Sequence, residues 1–297
     1  MRGLGQRPPG WRPSTAGRLV YAVGDIHGCY DLLYRLLVEI EDDLSRTRPP
    51  EPPLFIFLGD YIDRGPDSRR VVQALVSVQA RPSIDARFIR GNHEQAMLDF
   101  LDGVDNADAW LFYGGLETLE SYGARPASAK AADVVAADVR EELRRRLPKR
   151  HETFLRDTVL MVEIGDYAFV HAGVRPRMPL AAQVAEDLMW IRDEFLRSKL
   201  PWERVVVHGH TPAESPYIDH RRIGLDTGAY LTGVLSAVRL FGTEQSIIQA
   251  TAVTAGAKRA RFDAWRVGDC GGESARRAEA FTATQTIGTS DRGSECA

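Results

Sequence analysis

Mainly apolar runs alternate with helical patterns at the start of the chain. Residues 19–23, 54–58 and 86–89 have the length and apolar character of buried strands. Between them, residues 30–46 and 67–78 carry apolar side chains at helical spacing, which predicts two amphipathic helices. The order strand, helix, strand, helix, strand predicts a largely parallel sheet with right-handed crossovers.

The remainder of the chain departs from this alternation. Residues 94–158 predict a mostly helical insertion, which includes a strong helix over 131–147. After it, short strand patterns follow one another with turns between them, which predicts a second, more antiparallel sheet packed on the first. These strand patterns lie at 205–207, 223–226, 233–240 and 246–250.

Both ends of the chain are poor in large apolar side chains. Residues 1–17 are rich in Pro, Gly and Arg and lack the apolar core of a secretory signal. Residues 255–297 are rich in Ala, Arg, Gly, Ser and Thr. We therefore predict one folded domain over 18–254 between two disordered tails.

Charge and cysteine usage narrow the class of protein. The net charge of −3 gives no case for nucleic acid or an anionic membrane as a partner. The three cysteines, Cys29, Cys270 and Cys296, fit neither a disulfide framework nor a zinc motif. We expect a reduced cytoplasmic protein with no membrane span, and the sequence leaves its oligomeric state open.

A further apolar run at 167–170 also predicts a buried strand. Polar blocks spaced by glycine follow this strand and those at 19–23, 54–58, 86–89 and 205–207. They lie at 24–28, 59–65, 91–94, 171–173 and 209–211. Their Asp, Asn and His side chains offer oxygen and imidazole donors, and we expect them to meet at the end of one sheet. Two adjacent divalent metal ions need such a donor set in order to activate water against a phosphate ester.

In order and residue content the five blocks resemble the phosphoprotein phosphatases, a branch of the calcineurin-like metallophosphoesterases, over about residues 20–240. The resemblance implies an α/β fold in which two mixed β-sheets form a sandwich flanked by helices. It also implies two divalent metal ions as cofactors, with Mn²⁺ expected and Fe or Zn as alternatives. The metal ligands that it implies are Asp25, His27, Asp60, Asn92, His171 and His210.

The same resemblance assigns further roles within these blocks. Asp60 is expected to bridge the two ions. Asp63 is expected to hydrogen-bond His93, which then serves as the catalytic general acid for the leaving oxygen. Arg64 offers a planar fork of donors to the substrate phosphate. Glu94 is expected to act on the dipole of the helix that it begins.

A second phosphate-binding arginine and the last histidine ligand each have alternatives. Arg192 lies in a segment that resembles the one providing this arginine in small family members, whereas Arg175 and Arg177 are candidates on spacing alone. His208 lies two residues before His210, so it could assist that residue or replace it as a ligand.

Two aspartates also have structural interpretations. Asp25 could merely cap the helix that begins near residue 30, although the other blocks favour a ligand. Asp226 matches a family segment near the active edge, and we expect it to support the site without binding metal.

The resemblance implies a metal-dependent phosphoserine and phosphothreonine hydrolase acting on phosphorylated proteins, and some bacterial members also accept phosphotyrosine. Symmetric diadenosine tetraphosphate hydrolases are the alternative, but they tend to lack the equivalent of Asp63 and to carry Asp in place of Glu94. A silent phosphate-binding scaffold is disfavoured because no expected ligand, acid or arginine is missing. A nucleic-acid phosphodiesterase is disfavoured by the charge balance.

Overall fold

A computed structural model describes residues 10–104, 106–124 and 132–252. All of the predicted C-terminal tail and residues 1–9 lie outside this described part. Residues 13–15, which lie within the predicted N-terminal tail, contact the body of the protein. The Thr15 amide donates to the Gly242 carbonyl, and the Ser14 amide donates to Asp166.

The first sheet combines the three predicted parallel strands with two strands from the end of the described chain. Strands β1, β2 and β3 pair in parallel, β9 pairs antiparallel with β1, and β10 pairs antiparallel with β9. The order is β10-β9-β1-β2-β3. The bounds are β1 Val20–Val23, β2 Leu54–Phe57, β3 Asp85–Phe88, β9 Val234–Phe241 and β10 Glu244–Thr251.

The second sheet has the order β4-β5-β6-β8-β7. Its three central strands β5, β6 and β8 are parallel, and β4 and β7 are antiparallel strands at the two edges. The bounds are β4 Met161–Ile164, β5 Tyr167–Val170, β6 Val205–His208, β7 Tyr217–Ile218 and β8 Arg222–Gly224.

The predicted division of strands between the sheets was wrong in two respects. β9 and β10 belong to the first sheet, where Val20 of β1 lies opposite Leu240 of β9. The strands before the five polar blocks also divide between the sheets, because β5 and β6 lie in the second one. Both errors have one cause: apolar patterning identifies a buried strand but carries no information about the strand beside which it pairs.

The two sheets pack face to face, which gives the fold a sandwich core. Alternate side chains of β1 and β2 point into this core, and their neighbours point toward helices on the outer face. Strands covered on both faces have continuous apolar sequences, as observed for β1 and β2. The buried residues between the sheets include Val20, Ala22, Leu54, Ile56, Phe169, Val205, Val207 and Ile223.

Helices cover both outer faces of the sandwich. The first sheet is covered by α1 and α2. The insertion runs from Glu94, in the first turn of α3, to α7, and its chain kinks at Gly114, whose φ of 111° is not helical. The α-helices are α1 Tyr30–Thr47, α2 Ser68–Gln79, α3 Asn92–Asp102, α4 Ala107–Trp110, α5 Leu116–Tyr122, α6 Ala132–Arg146, α7 Lys149–Arg156, α8 Ala185–Trp190, α9 Asp193–Leu196 and α10 Ala229–Thr232. Among the described residues, no helix has the length and apolar content needed to cross a membrane.

Candidate metal centre and active site

The polar blocks from both sheets meet at one place, so the site lies between the two sheets and not at the end of one. His210 follows β6 and Asp25 follows β1, and the His210 amide donates to Asp25 Oδ2 over 2.9 Å. His171 follows β5 and Asn92 follows β3, and His171 Nε2 lies 2.9 Å from Asn92 Oδ1. The carboxyl ends of the strands in the two sheets therefore converge on a single cluster.

Several of these side chains rest on unusual backbone. Of the eight non-glycine residues with positive φ in the described part, five carry predicted site side chains. Their φ values lie in the left-handed region, which costs of order 1–3 kcal/mol per residue and persists only where surrounding contacts maintain it. They are His27, Asp60, Asp63, Arg64 and His210.

Asp60 lies at the centre of the cluster and faces both halves of it. Its Oδ2 is 3.5 Å from His27 Nε2, and its Oδ1 is 3.4 Å from His171 Nε2. Two groups of side chains could each hold a metal ion, and both include Asp60: one with His27 and His93, the other with His171 and His210. Each oxygen of this carboxylate could therefore serve a different ion, which is the geometry expected of a bridging ligand.

Around Asn92, hydrogen-bond acceptor atoms of several side chains point toward one another, as they do where an ion binds. His171 Nδ1–H donates to the Leu58 carbonyl over 2.9 Å, which leaves a lone pair on Nε2. That lone pair faces Asn92 Oδ1, which also lies 2.9 Å from His210 Nδ1. Two acceptors so close repel one another unless a cation lies between them, so the residues present fit a bound metal.

The surroundings of Asp25 also fit a bound cation. Asp25 Oδ1 is buried without a hydrogen-bond partner, and burial with Asp226 and Asp60 nearby raises the pKa of Asp25 well above its ordinary value. His27 Nδ1–H donates to the Ile62 carbonyl over 2.9 Å, so its Nε2 lone pair points toward Asp60. A divalent cation would supply the positive charge that this buried carboxylate lacks.

The expected histidine ligands are held in the neutral form that metal binding requires. Burial lowers the pKa of His27 to about 3 and that of His210 to about 2. Burial also lowers the pKa of His171.

His93 differs from these histidines in its partner. Its Nδ1 lies 2.7 Å from Asp63 Oδ2, and both side chains are buried. Burial acts to lower the pKa of His93, but Asp60 and the hydrogen-bonded Asp63 raise it to about 9. Its Nε2 faces the cluster, 3.9 Å from Asp60 Oδ2. This arrangement can hold a proton next to the metal ligands, as a general acid must.

Two arginines lie beside the cluster. Arg64 Nη2 is 3.4 Å from His93 Nε2, and its Nη1 donates to the Tyr230 hydroxyl, with the guanidinium 4.7 Å from the centre of the Tyr230 ring. Arg192 is exposed, and its positive charge contributes to the lowered pKa values of His171 and His210. Tyr230 was not predicted, because its contact with Arg64 spans 166 residues of sequence.

The alternative arginines have other roles or positions. Arg175 donates to Asp187 over 2.6 Å and to Glu194 over 2.8 Å, so its donors are already occupied by carboxylates. Arg177 is exposed in the loop after β5.

His208 has both ring nitrogens occupied. Its Nδ1–H donates to the Gly209 carbonyl, and its Nε2 accepts from Arg222, each over 3.0 Å. It therefore has no free lone pair to offer to an ion bound beside His210. Asp226 accepts from the Gly228 amide over 2.8 Å, and its charge contributes to the raised pKa of Asp25.

Glu94 has a larger role than the predicted helix-dipole contact. Its carboxylate is fully buried and accepts the Gly91 amide at 2.9 Å, the Asp60 amide at 2.8 Å and the Tyr61 amide at 2.7 Å. It thus ties the loop after β2 to the start of α3 and fixes the backbone that presents Asp60. A Cβ at position 91 would collide with Asp60 Oδ1, so only glycine allows this approach.

The chain is similar in sequence to proteins of known family and name. Calcineurin-like phosphoesterases match residues 19–233 of the chain. Serine/threonine-protein phosphatase 1 of Salmonella typhimurium (strain LT2) is 30% identical over 226 residues, which is 75% of this chain and 92% of that protein. Bis(5'-nucleosyl)-tetraphosphatase PrpE, asymmetrical type, of Geobacillus sp. (strain WCH70) is 26% identical over 234 residues, 73% of this chain and 88% of that protein.

A solved structure described provisionally as a diadenosine tetraphosphatase has the same fold, with a TM-score of 0.51. The sequences are 20% identical, and the match covers 81% of this chain and 99% of that chain. The sandwich and its ligand cluster define a metal-dependent phosphoesterase. The chain belongs to the calcineurin-like phosphoesterase family, and it is a hydrolase of that class.

Proposed function

We propose that this protein hydrolyses phosphoserine and phosphothreonine in phosphorylated proteins, with two divalent metal ions as cofactors. The observation that carries this proposal is the buried Asp63–His93 pair, 2.7 Å apart, beside the metal ligands. A serine or threonine alkoxide is a poor leaving group, and its departure needs a proton from a well-placed acid. A phosphate leaving group, as in a dinucleoside polyphosphate, has much less need of one.

The chain's own residues divide the remaining work. Asp25, His27, Asp60, Asn92, His171 and His210 would hold the two ions. Bound there, the ions would activate water and neutralise charge on the phosphate. Arg64 would bind phosphate oxygens through its planar fork of donors, next to the His93 nitrogen that protonates the leaving oxygen. Arg192 would bind the phosphate from the side of His171 and His210.

Two further observations support the protein phosphatase assignment. Serine/threonine-protein phosphatase 1 of Salmonella is similar over nearly its whole length. Asp63 and Glu94, which symmetric dinucleotide hydrolases tend to lack, both make buried hydrogen bonds at the site. We propose Mn²⁺ as the ion, with Fe or Zn as alternatives that the mixed donor set admits, and a reducing cytoplasm as the compartment.

A dinucleoside tetraphosphate is the second candidate substrate. It is favoured by the PrpE relative and by Trp190, a half-exposed aromatic side chain whose ring centre lies 6.2 Å from that of His210. An exposed aromatic ring beside a phosphate site can stack on a nucleobase, which contributes about 1–3 kcal/mol per base.

The test is to measure Mn²⁺-dependent kcat/KM on a phosphoserine peptide and on diadenosine tetraphosphate with the same preparation. We expect the peptide to be the better substrate and Asp63→Asn to lower its turnover by about 100-fold, the lower end of the usual contribution of a general acid. Asp67→Asn is the matched control, because Asp67 lies in the same loop but pairs with the exposed Arg70.

Trp190→Ala separates the two candidate substrates, because only dinucleotide binding would use the exposed ring. A nucleobase stacked on Trp190 predicts a loss of about tenfold in kcat/KM on the dinucleotide and little change on the peptide. Faster dinucleotide cleavage that depends on Trp190 would reject the protein phosphatase assignment and retain the metal site.

A further inference from the structure

The helical insertion reaches the active site at Asp63. Trp110 ends α4, and Thr118 lies in the first turn of α5, 47 and 55 residues along the chain from Asp63. Both side chains are buried and donate hydrogen bonds to the Asp63 carboxylate. The insertion also contacts the next residue, because the Arg64 amide donates to the Gly114 carbonyl over 3.1 Å.

Each oxygen of the Asp63 carboxylate has a donor from the insertion. Trp110 Nε1–H donates to Oδ2 over 3.0 Å, and the same oxygen accepts the His93 Nδ1–H. Thr118 Oγ1–H donates to Oδ1 over 2.6 Å. The carboxylate can therefore rotate only if at least one of these buried hydrogen bonds breaks, which costs about 1–3 kcal/mol.

The backbone of Asp63 needs the same support. Its φ of 71° lies in the left-handed region, which is unfavourable for a residue with a Cβ. Its amide donates to Thr118 Oγ1 over 2.9 Å and to Ser68 Oγ over 3.1 Å. Thr118 therefore fixes both the main chain and the side chain of Asp63.

We propose that Trp110 and Thr118 are positioning residues that hold the Asp63 carboxylate on His93, so that the insertion governs proton delivery to the leaving group. The imidazole has one hydrogen-bonded nitrogen and one that faces the cluster, so the direction of the Asp63 carboxylate sets the direction of Nε2. This inference rests on the proposed role of His93 as general acid. It adds that the donors from the insertion are needed for that role.

The test compares two leaving groups in Thr118→Val and Trp110→Phe. Valine keeps the shape of threonine without its hydroxyl, and phenylalanine keeps an aromatic ring against Phe100 without the indole N–H. With a phosphoserine peptide we expect kcat to fall by about tenfold with KM within twofold, a fraction of the 10²–10⁴ that a general acid contributes. With 2,4-dinitrophenyl phosphate, whose leaving group needs no proton, we expect a change below about twofold.

Three controls separate positioning from general damage. Thr118→Ser keeps the hydroxyl and should restore most of the peptide activity. Ser121→Ala removes a hydroxyl of the same helix that bonds the Thr118 carbonyl and the Arg69 amide, away from Asp63, and should leave both activities unchanged. His93→Asn should show the same dependence on the leaving group, with a larger loss. Metal content and the melting temperature are measured for every variant.

Equal losses on both substrates, or no loss on either, would overturn the positioning role. If the wild-type enzyme prefers diadenosine tetraphosphate but the variants still lose activity selectively on the alkyl ester, the proposed substrate fails and this inference stands. A His93→Asn variant that loses no more on the peptide than on the aryl ester would refute the general-acid role and this inference together.

Discussion

The strand-end loops and the helical insertion contribute to the site in different ways. The loops carry five of the six predicted metal ligands, and the sixth, Asn92, is the first residue of α3. Donor atoms from these segments face one another across the two sheets. The insertion after Glu94 carries none of those ligands, yet Trp110 and Thr118 occupy both oxygens of Asp63. One region supplies the chemistry, and the other fixes the geometry in which that chemistry works.

Asp60 and Asp63 show this difference within a single loop. Both are buried and both have positive φ. The Asp60 oxygens face histidine nitrogens on two sides, whereas the Asp63 oxygens accept from Trp110, Thr118 and His93. Two identical carboxylates three residues apart therefore have different roles because different distant segments pack against them.

The largest effect is expected from Asp60→Asn. The substitution removes the charge of the side chain that belongs to both candidate metal groups, so both ions of the proposed centre should bind more weakly. We expect a fall in kcat of at least about 10³-fold, well beyond the 10–100-fold typical of residues that only support a ligand. Activity and bound metal, by elemental analysis after dialysis, are the measurements.

Asp67→Asn, a half-buried position in the same loop whose side chain pairs with the exposed Arg70, is the control for that experiment and should retain both metal and activity. An Asp60→Asn enzyme that keeps two metal equivalents and normal turnover would contradict the bridging role.

A smaller effect is expected from Glu94→Gln. Glu94 holds the backbone of Asp60, just as Thr118 holds Asp63, so this variant tests how much Asp60 depends on that support. The amide keeps the volume but has one acceptor oxygen where the structure uses two. We expect metal affinity to fall by about 10–100-fold, with activity restored by added Mn²⁺. Glu120→Gln, on the exposed side of α5, is the control. Activity that excess metal does not restore would show that Glu94 acts other than through the ligands.

The sequence predicted the strands that precede the five polar blocks, and the side chains that lie at their ends, because both depend on local patterns. Strands β1 and β5 agree with the apolar runs to within one residue at each end. The Asp25 side chain is not a helix cap: α1 has Cys29 at its N-cap position, and Asp25 instead accepts the His210 amide. The glycine-spaced blocks identified this site because short loops after strands place their side chains at the strand ends.

The parts that the sequence did not predict are those that depend on distant contacts. The positions of β9 and β10 in the first sheet follow from pairing with β1, more than 200 residues earlier. The buried bonds of Trp110, Thr118 and Tyr230 join segments whose patterns, taken alone, indicate only apolar helix faces or turns. Local periodicity does not predict which polar atom a buried side chain will hydrogen-bond.

The smallest effect concerns His151, a buried and neutral histidine of the insertion that belongs to neither candidate metal group found among the described residues. Its Nδ1 accepts from the Tyr122 hydroxyl over 2.9 Å, and its Nε2–H donates to Gln73 over 3.1 Å. Burial, with Arg150 and Arg69 nearby, lowers the pKa of His151 from 6.5 to about 4. Between those values the unfolded chain binds the proton and the folded chain does not. This contribution to stability is therefore present above about pH 6.5 and is lost as the pH falls toward 4.

His151→Gln keeps a donor and an acceptor but removes the titration. We expect the free energy of unfolding to fall less between pH 7 and pH 4.5 in this variant than in the wild type, by about 2 kcal/mol. Urea unfolding at a series of pH values measures this difference, with the exposed His220→Gln as control. Because both proteins share the titrating groups of the metal centre, the difference isolates His151. Parallel pH profiles would mean that His151 is protonated equally in the folded and unfolded chains.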